Sequence, residues 1–236
     1  MAQSPETGGA RRGSWQALPP EPWKNGGGVT RTLAADTAEG AAPRWRLSVA
    51  DITRGGPYSR FAGDDRVSVV LSGAGVVLRD AGVPQREGNA QILLPPGQPV
   101  AFAGDAAWHG TLVDGPVQVL NLFVRRGAAR AWVRGVGQGP QAGRAGVAAG
   151  ALAACGAARH LTLCVAHVAG GWHTPEGVTE LAAGEFLLRP AACTGHPANP
   201  GGPRSAEGRA EDTYTPIRGA SPQPPGLAAV LLDIFY

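Results

Sequence analysis

The chain predicts an all-β protein made of two barrels, the second an eroded version of the first. Three observations carry that expectation. The 236 residues include 36 Gly and 21 Pro but only 6% aromatic residues, a balance rich in turns and poor in long amphipathic helices. The apolar runs are short and alternate with a period of two. In WRLSVADI, for example, Trp45, Leu47 and Val49 share one face and Arg46, Ser48 and Ala50 the other. The strand and turn character of the first half also returns at lower density after residue 158. With 43% hydrophobic residues, the chain can bury one large core or two small ones.

Taken in order, residues 1–14 are polar and small and read as a disordered leader. A first barrel is expected over residues 15–134. It opens with WKNGGGVTRTLAAD, where three glycines before a strand suit a bulged hairpin or strand entry. No Lys-Ser/Thr pair follows them, so a phosphate loop is disfavoured. GGP at Gly55–Pro57 is a turn, and RVSVVL and GVVLRD are strands on either side of Ser72-Gly73. QILL ends in a Pro-Pro-Gly turn, and VQVLNLFVRR follows the turn at Asp114–Pro116. Residues 135–158 are dominated by Gly and Ala and read as a linker, because the interspersed Gly disfavour a helix. A second barrel is expected over 159–236. Its strands are HLTLCVAHV, GEFLLRP and the very apolar end LAAVLLDIFY, with a long loop from Pro197 to Pro225.

The net charge is +3 and the Arg residues are scattered, so the clustered basic stripe of a nucleic-acid binder is missing. Cys155, Cys164 and Cys193 form no CxxC pair and read as reduced, buried small residues. The first residues contain no apolar signal core and no run approaches a membrane span. The expectation is a cytoplasmic protein with no membrane partner.

From Arg60 to Gly73 the sequence RFAGDDRVSVVLSG has the spacing of the first metal motif of a cupin barrel, but its three ligand positions hold Arg60, Ala62 and Arg66. GNAQILLPPGQPV resembles the second motif, and its ligand position holds Val100. No metal and no cofactor is therefore expected. Arg is permanently cationic and presents a rigid fork of donors that matches a carboxylate, so the barrel mouth reads as an anion site. The plainer reading pairs Arg46, Arg60 and Arg66 with Asp51, Asp64 and Asp65 as ordinary ion pairs. His167, His173 and Glu176 lack the spacing of a metal site, and no nucleophile sits in a catalytic sequence.

The blocks PWKNGGGVTRTLA, WRLSVADI, GPYSRFAGDDRVSVVLSGAGVVL, FAGD and DGPVQVLNLFVRRG, all within residues 22–127, resemble the HutD/Ves family of small bacterial proteins. The resemblance implies a bicupin fold and a link to histidine-utilisation operons, with a regulatory or ligand-sensing role. Of the positions that match, Asn25, Arg46, Ser48, Arg60, Arg66 and Asn121 are the candidate ligand-binding residues. Family members commonly carry an acid and a Met where this chain has Val119 and Phe123, which implies a different ligand preference. The expected function is binding of a small carboxylate, such as urocanate or formylglutamate, by a sensor or modulator. The alternatives are a lyase, isomerase or hydrolase acting on a carboxylate, and an interaction protein that forms a homodimer through its barrel faces.

Overall fold

The computed structural model describes residues 10–36, 42–82, 91–137, 144–148, 159–191, 212–216 and 227–236. Apart from a 3-10 turn at Trp15–Ala17, the regular structure of these residues is strand. After β1 (Arg11–Ser14) come β2 (Glu21–Pro22), β3 (Gly28–Ala35), β4 (Trp45–Ile52), β5 (Gly56–Pro57) and β6 (Asp64–Ser72). They are followed by β7 (Val76–Asp80), β8 (Gln91–Leu94), β9 (Val100–Ala103), β10 (Trp108–Leu112) and β11 (Val117–Arg125). The second half contributes β12 (Arg130–Gly137), β13 (Arg144–Ala148), β14 (His160–Ala166) and β15 (Gly170–Thr174). It ends with β16 (Gly177–Leu181), β17 (Glu185–Ala191), β18 (Thr213–Pro216) and β19 (Leu227–Phe235).

The strands form two barrels of cupin type. In the first, the six-stranded sheet β2-β3-β4-β11-β6-β9 faces the four-stranded sheet β5-β10-β7-β8. Ala50, Ile52, Val70 and Val119 meet Val76, Leu78 and Leu94 between them. In the second, the six-stranded sheet β1-β17-β14-β19-β12-β13 faces the three-stranded sheet β16-β15-β18, with Cys164, Leu187 and Leu231 against Trp172, Leu181 and Tyr214. The largest core lies in neither barrel. It joins the backs of the two six-stranded sheets, where Trp45, Leu47, Val49, Val67, Val69, Leu120 and Leu122 pack against Val133, Leu161, Leu163, Val230 and Leu232.

Strict alternation explains this arrangement, because successive side chains of a strand point to opposite faces. The apolar face expected for β4 enters the shared core, and the mixed face of Arg46, Ser48 and Ala50 turns into the first barrel. β6, β11, β12, β14 and β19 divide in the same way. At Gly28, a Cβ would stand 2.4 Å from the carbonyl oxygen of Asp51, so the glycine run at the start of β3 admits a backbone approach that any side chain would block.

Four boundaries differ from the sequence expectation. Arg11–Ser14, read as part of the leader, is β1 and pairs along β17 at the edge of the second barrel. The chain then buries Trp15 in the shared core before it enters the first barrel. That barrel ends at Arg125 and not at residue 134, because the turn at 126–129 leads straight into β12 of the other sheet. β11 and β12 have the same alternating pattern, so nothing in the sequence marks the change of sheet. The stretch read as a linker contains the end of β12 and all of β13, and β18 lies inside the segment read as a long loop. Cys164 is a buried free thiol, whereas Cys155 and Cys193 fall outside the described residues. Among the described residues no helix is long and apolar enough to cross a membrane.

A candidate anion site inside the first barrel

The centre of the site is set by strand register. β11 lies between β4 and β6, and Asn121 pairs with Ser48 on one side and Ser68 on the other. Two residues along, Phe123 pairs with Arg46 and Arg66. These two rows lie on the face turned away from the shared core, so a polar row and a cationic row stand side by side within the barrel. β9 adds Phe102 beside Arg66.

Arg66 is 7% exposed. Its Nε and Nη2 donate to Asn121 Oδ1 at 3.2 and 2.7 Å, and Ser68 Oγ donates to the same oxygen at 2.7 Å. Asn121 Nδ2 donates to the Val119 carbonyl at 3.3 Å, which fixes the amide. The Arg66 guanidinium carbon lies 4.6 Å from the ring centre of Tyr58, 5.0 Å from that of Phe123 and 5.4 Å from that of Phe102. Arg46 lies 4.7 Å from the Phe123 ring and 5.2 Å from that of Phe61, so two guanidiniums share Phe123.

Neither arginine has an ion-pair partner among the described residues. Their charge is met by ring quadrupoles and one neutral amide. Burial pushes the Arg66 pKa down to about 10, with the Arg46 charge acting the same way and Tyr58 opposing it. Burial also lowers Arg46, against the pull of Glu21 and Asp64. Arg66 thus remains cationic at neutral pH, and Nη1 makes no hydrogen bond among the described residues. Such a site favours an anion able to accept from a guanidinium.

Tyr58 closes one side. Its backbone N–H donates to the Trp108 carbonyl at 2.8 Å, and a Cβ on Gly110 would stand 2.6 Å from Cε2 of its ring, so only glycine leaves room for the ring there. The hydroxyl is buried without a hydrogen-bond partner among the described residues, and burial raises its pKa.

Of the six residues expected at a site, Arg46, Ser48, Arg66 and Asn121 meet here, and two lie elsewhere. Asn25 is exposed, and its side chain accepts the Gly27 N–H at 2.9 Å, which makes it a turn residue. Arg60 is also exposed, with Nε donating to the Asp105 carbonyl at 2.8 Å. It sits on the loop before β6, where strand alternation no longer aims a side chain inward. The three aspartates pair with other arginines, Asp51 with Arg31, Asp64 with Arg125 and Asp65 with Arg126. Sequence reasoning named Phe123 only as a departure from the family, and it did not name Ser68, Tyr58, Phe61 or Phe102 as ligand-binding. Ser68 was legible from its alternation with Arg66, and Phe123 from its alternation with Asn121, whereas Tyr58, Phe61 and Phe102 arrive from other segments whose proximity is tertiary.

The donor set does not suit a metal ion. At the four ligand-equivalent positions stand two guanidiniums, a methyl and an isopropyl group, none of which coordinates a cation. Among the described residues no group of three His, Cys, Asp or Glu side chains is placed to hold a metal ion. Of the second-barrel residues weighed for such a role, Glu176 pairs with Arg189, and burial lowers the pKa of His167.

The sequence profile of the family described as HutD matches residues 16–180. A curated relative, the uncharacterized 21.2 kDa protein in the hutC 3′ region of Pseudomonas putida, is 39% identical over 109 residues, which are 46% of this chain and 54% of the relative. Protein Ves of Citrobacter koseri is 34% identical over 119 residues, 50% of this chain and 59% of the relative. The chain thus spans about half the length of the curated relatives it matches. The crystal structure of a conserved protein of unknown function from Pseudomonas aeruginosa superposes with a TM-score of 0.60 at 26% identity, covering 96% of this chain and 99% of the other. HutD from Pseudomonas fluorescens superposes with a TM-score of 0.57 at 24% identity, covering 96% and 98%, and that likeness speaks for the fold.

Proposed function

This chain belongs to the HutD family, and from that premise we propose that its first barrel binds a small carboxylate at Arg66 as a sensor or modulator. The observation that carries the reading is a buried guanidinium with no counter-ion among the described residues. An uncompensated charge in a barrel interior is costly, and an incoming carboxylate removes that cost while gaining charge-assisted hydrogen bonds. Nη1 of Arg66 is the donor left for it. Arg46, on the other side of Phe123, suits a second acidic group or the far end of a conjugated acid. A relative carries the name of the hutC 3′ region, which supports testing intermediates of histidine catabolism first, with urocanate and formylglutamate as the leading candidates.

Calorimetric titration of the full chain with these two acids is the test. Arg66→Ala should weaken binding by about 2–5 kcal/mol, as when one member of a buried charge pair is removed. Arg66→Lys should also weaken it clearly, because an ammonium does not reproduce the fork. Equal affinity in wild type and Arg66→Ala would remove the anion site from consideration.

A further inference from the structure

The second barrel repeats the register of the first-barrel site with different chemistry. β19 lies between β12 and β14, as β11 lies between β4 and β6. Asp233 pairs with Trp132 and Thr162, and Phe235 pairs with Arg130 and His160. These rows correspond in register to Asn121 with Ser48 and Ser68, and to Phe123 with Arg46 and Arg66. They also occupy the same face, since Ala131, Val133, Leu161, Leu163, Leu232 and Ile234 between them point into the shared core. The central ring is used in the same way, with the Arg130 guanidinium carbon 5.3 Å from the Phe235 centroid and the His160 ring stacked on Phe235 at 4.1 Å.

Two substitutions change what such a site can hold. His160 stands at the register position of Arg66, and Asp233 at that of Asn121. Asp233 Oδ1 lies 2.9 Å from His160 Nε2, yet the aspartate side chain is 47% exposed, and its other oxygen has no hydrogen bond among the described residues. Arg130 has no ion pair among them either and rests on Trp132 and Phe235. The remaining charges nearby are matched to one another. Arg189 pairs with Glu176 and, at 3.8 Å, with Asp212, which also accepts from Trp172 Nε1 at 3.1 Å. Arg134 donates to the Asp212 carbonyl. Among the described residues, a partly open carboxylate and an open guanidinium are left, on diagonal positions of adjacent strands about 7–8 Å apart.

We propose that the second barrel contains a separate site for a small α-amino acid, whose ammonium group pairs with Asp233 and whose carboxylate pairs with Arg130. The first barrel presents two cations and selects an anion. The second presents one charge of each sign and selects a zwitterion.

The experiment follows the Trp132 indole N–H by NMR in the 15N-labelled full chain, assigned by its loss in Trp132→Phe. The titrants are L-norvaline, pentanoate and butylamine, which share one carbon skeleton and differ only in which charged groups they carry. Norvaline should shift the signal saturably, and pentanoate and butylamine should bind there roughly tenfold or more weakly, the ratio given by loss of one charge-assisted hydrogen bond. Asp233→Asn should weaken norvaline roughly tenfold or more and abolish the response to butylamine. Arg130→Gln should weaken norvaline and leave butylamine unchanged. Arg66→Ala should leave the Trp132 response intact, which separates this site from the first-barrel reading. Absence of a saturable shift with norvaline, or equal binding of pentanoate and norvaline in wild type, would overturn the proposal, and the wild-type comparison decides even where a variant fails to fold.

Discussion

Arg66 stays cationic inside a barrel because three rings and one amide oxygen replace water without supplying a counter-charge. Burial holds its pKa in the folded protein at about 10, below the ordinary guanidinium value. Between those values the unfolded chain binds more protons than the folded one, so stability rises with pH in that window, and at neutral pH the charged group opposes folding. An acid at Asn121 would supply the missing charge in the place where Arg66 and Ser68 already donate. Asn121→Asp should therefore raise the melting temperature of the ligand-free protein and weaken carboxylate binding at the same time. Thermal scans and calorimetric titration check both, and a variant that binds as tightly as wild type would show that the cation is not the ligand's anchor. Arg46 and Ser48 were placed on one face of a strand by alternation, Arg66 by the spacing of the motif and Asn121 by the family resemblance, and the register of β4, β11 and β6 brings the four together. Arg60 lies elsewhere because motif spacing does not tell where a strand begins, and β6 begins only at Asp64, whereas Asn25, taken from the resemblance, is occupied in the turn before β3.

At the level of elements, β1 shows how little a short edge strand reveals of itself. RRGS has neither length nor apolar alternation, yet it completes the edge of the second barrel's sheet, with Arg12 paired to Glu185. Gly13 makes the fit possible, since a Cβ there would stand 3.0 Å from Cζ of Phe186, whose ring is 1% exposed and hemmed in by the shared core. Gly13→Val should overpack this contact and cost about 1–3 kcal/mol. Urea unfolding measures the loss, and faster amide exchange along β17 locates it; unchanged stability would mean that β1 adds nothing to the sheet. The longer strands β4, β6, β11, β14, β17 and β19 were readable because each has enough alternation or apolar run to declare itself. β13 and β18 were not, because their residues sit among Gly, Ala and Pro and gain strand structure only from a neighbour's open edge.

At the scale of the molecule, the described residues form four sheets stacked as four layers, and the core that joins the two six-stranded layers is the most extensive among them. A first barrel cut away from the second would expose Trp45, Leu47, Val49, Val67, Val69 and Leu122 to water, each costing about 1.5–3 kcal/mol of lost burial. The two barrels should therefore unfold as one unit. Differential scanning calorimetry is expected to give a single transition with calorimetric and van't Hoff enthalpies in agreement. Two resolved transitions, with Trp108 and Trp172 fluorescence changing at different temperatures, would contradict this.

The sequence by itself determined the all-β class, the doubling of the barrel, the family and the cationic character of the first interior, because composition, period-two patterning and ordered motif blocks are properties of neighbouring residues. Tertiary structure alone decided which arginines lose their aspartates, that Tyr58 and Phe102 close around Arg66, and that the strongest core lies between the barrels. It also decided that His160 and Asp233 fall on the register positions of Arg66 and Asn121. Each of these depends on which strands lie side by side and at what register, and pairing between residues far apart in the chain leaves no local mark in the sequence.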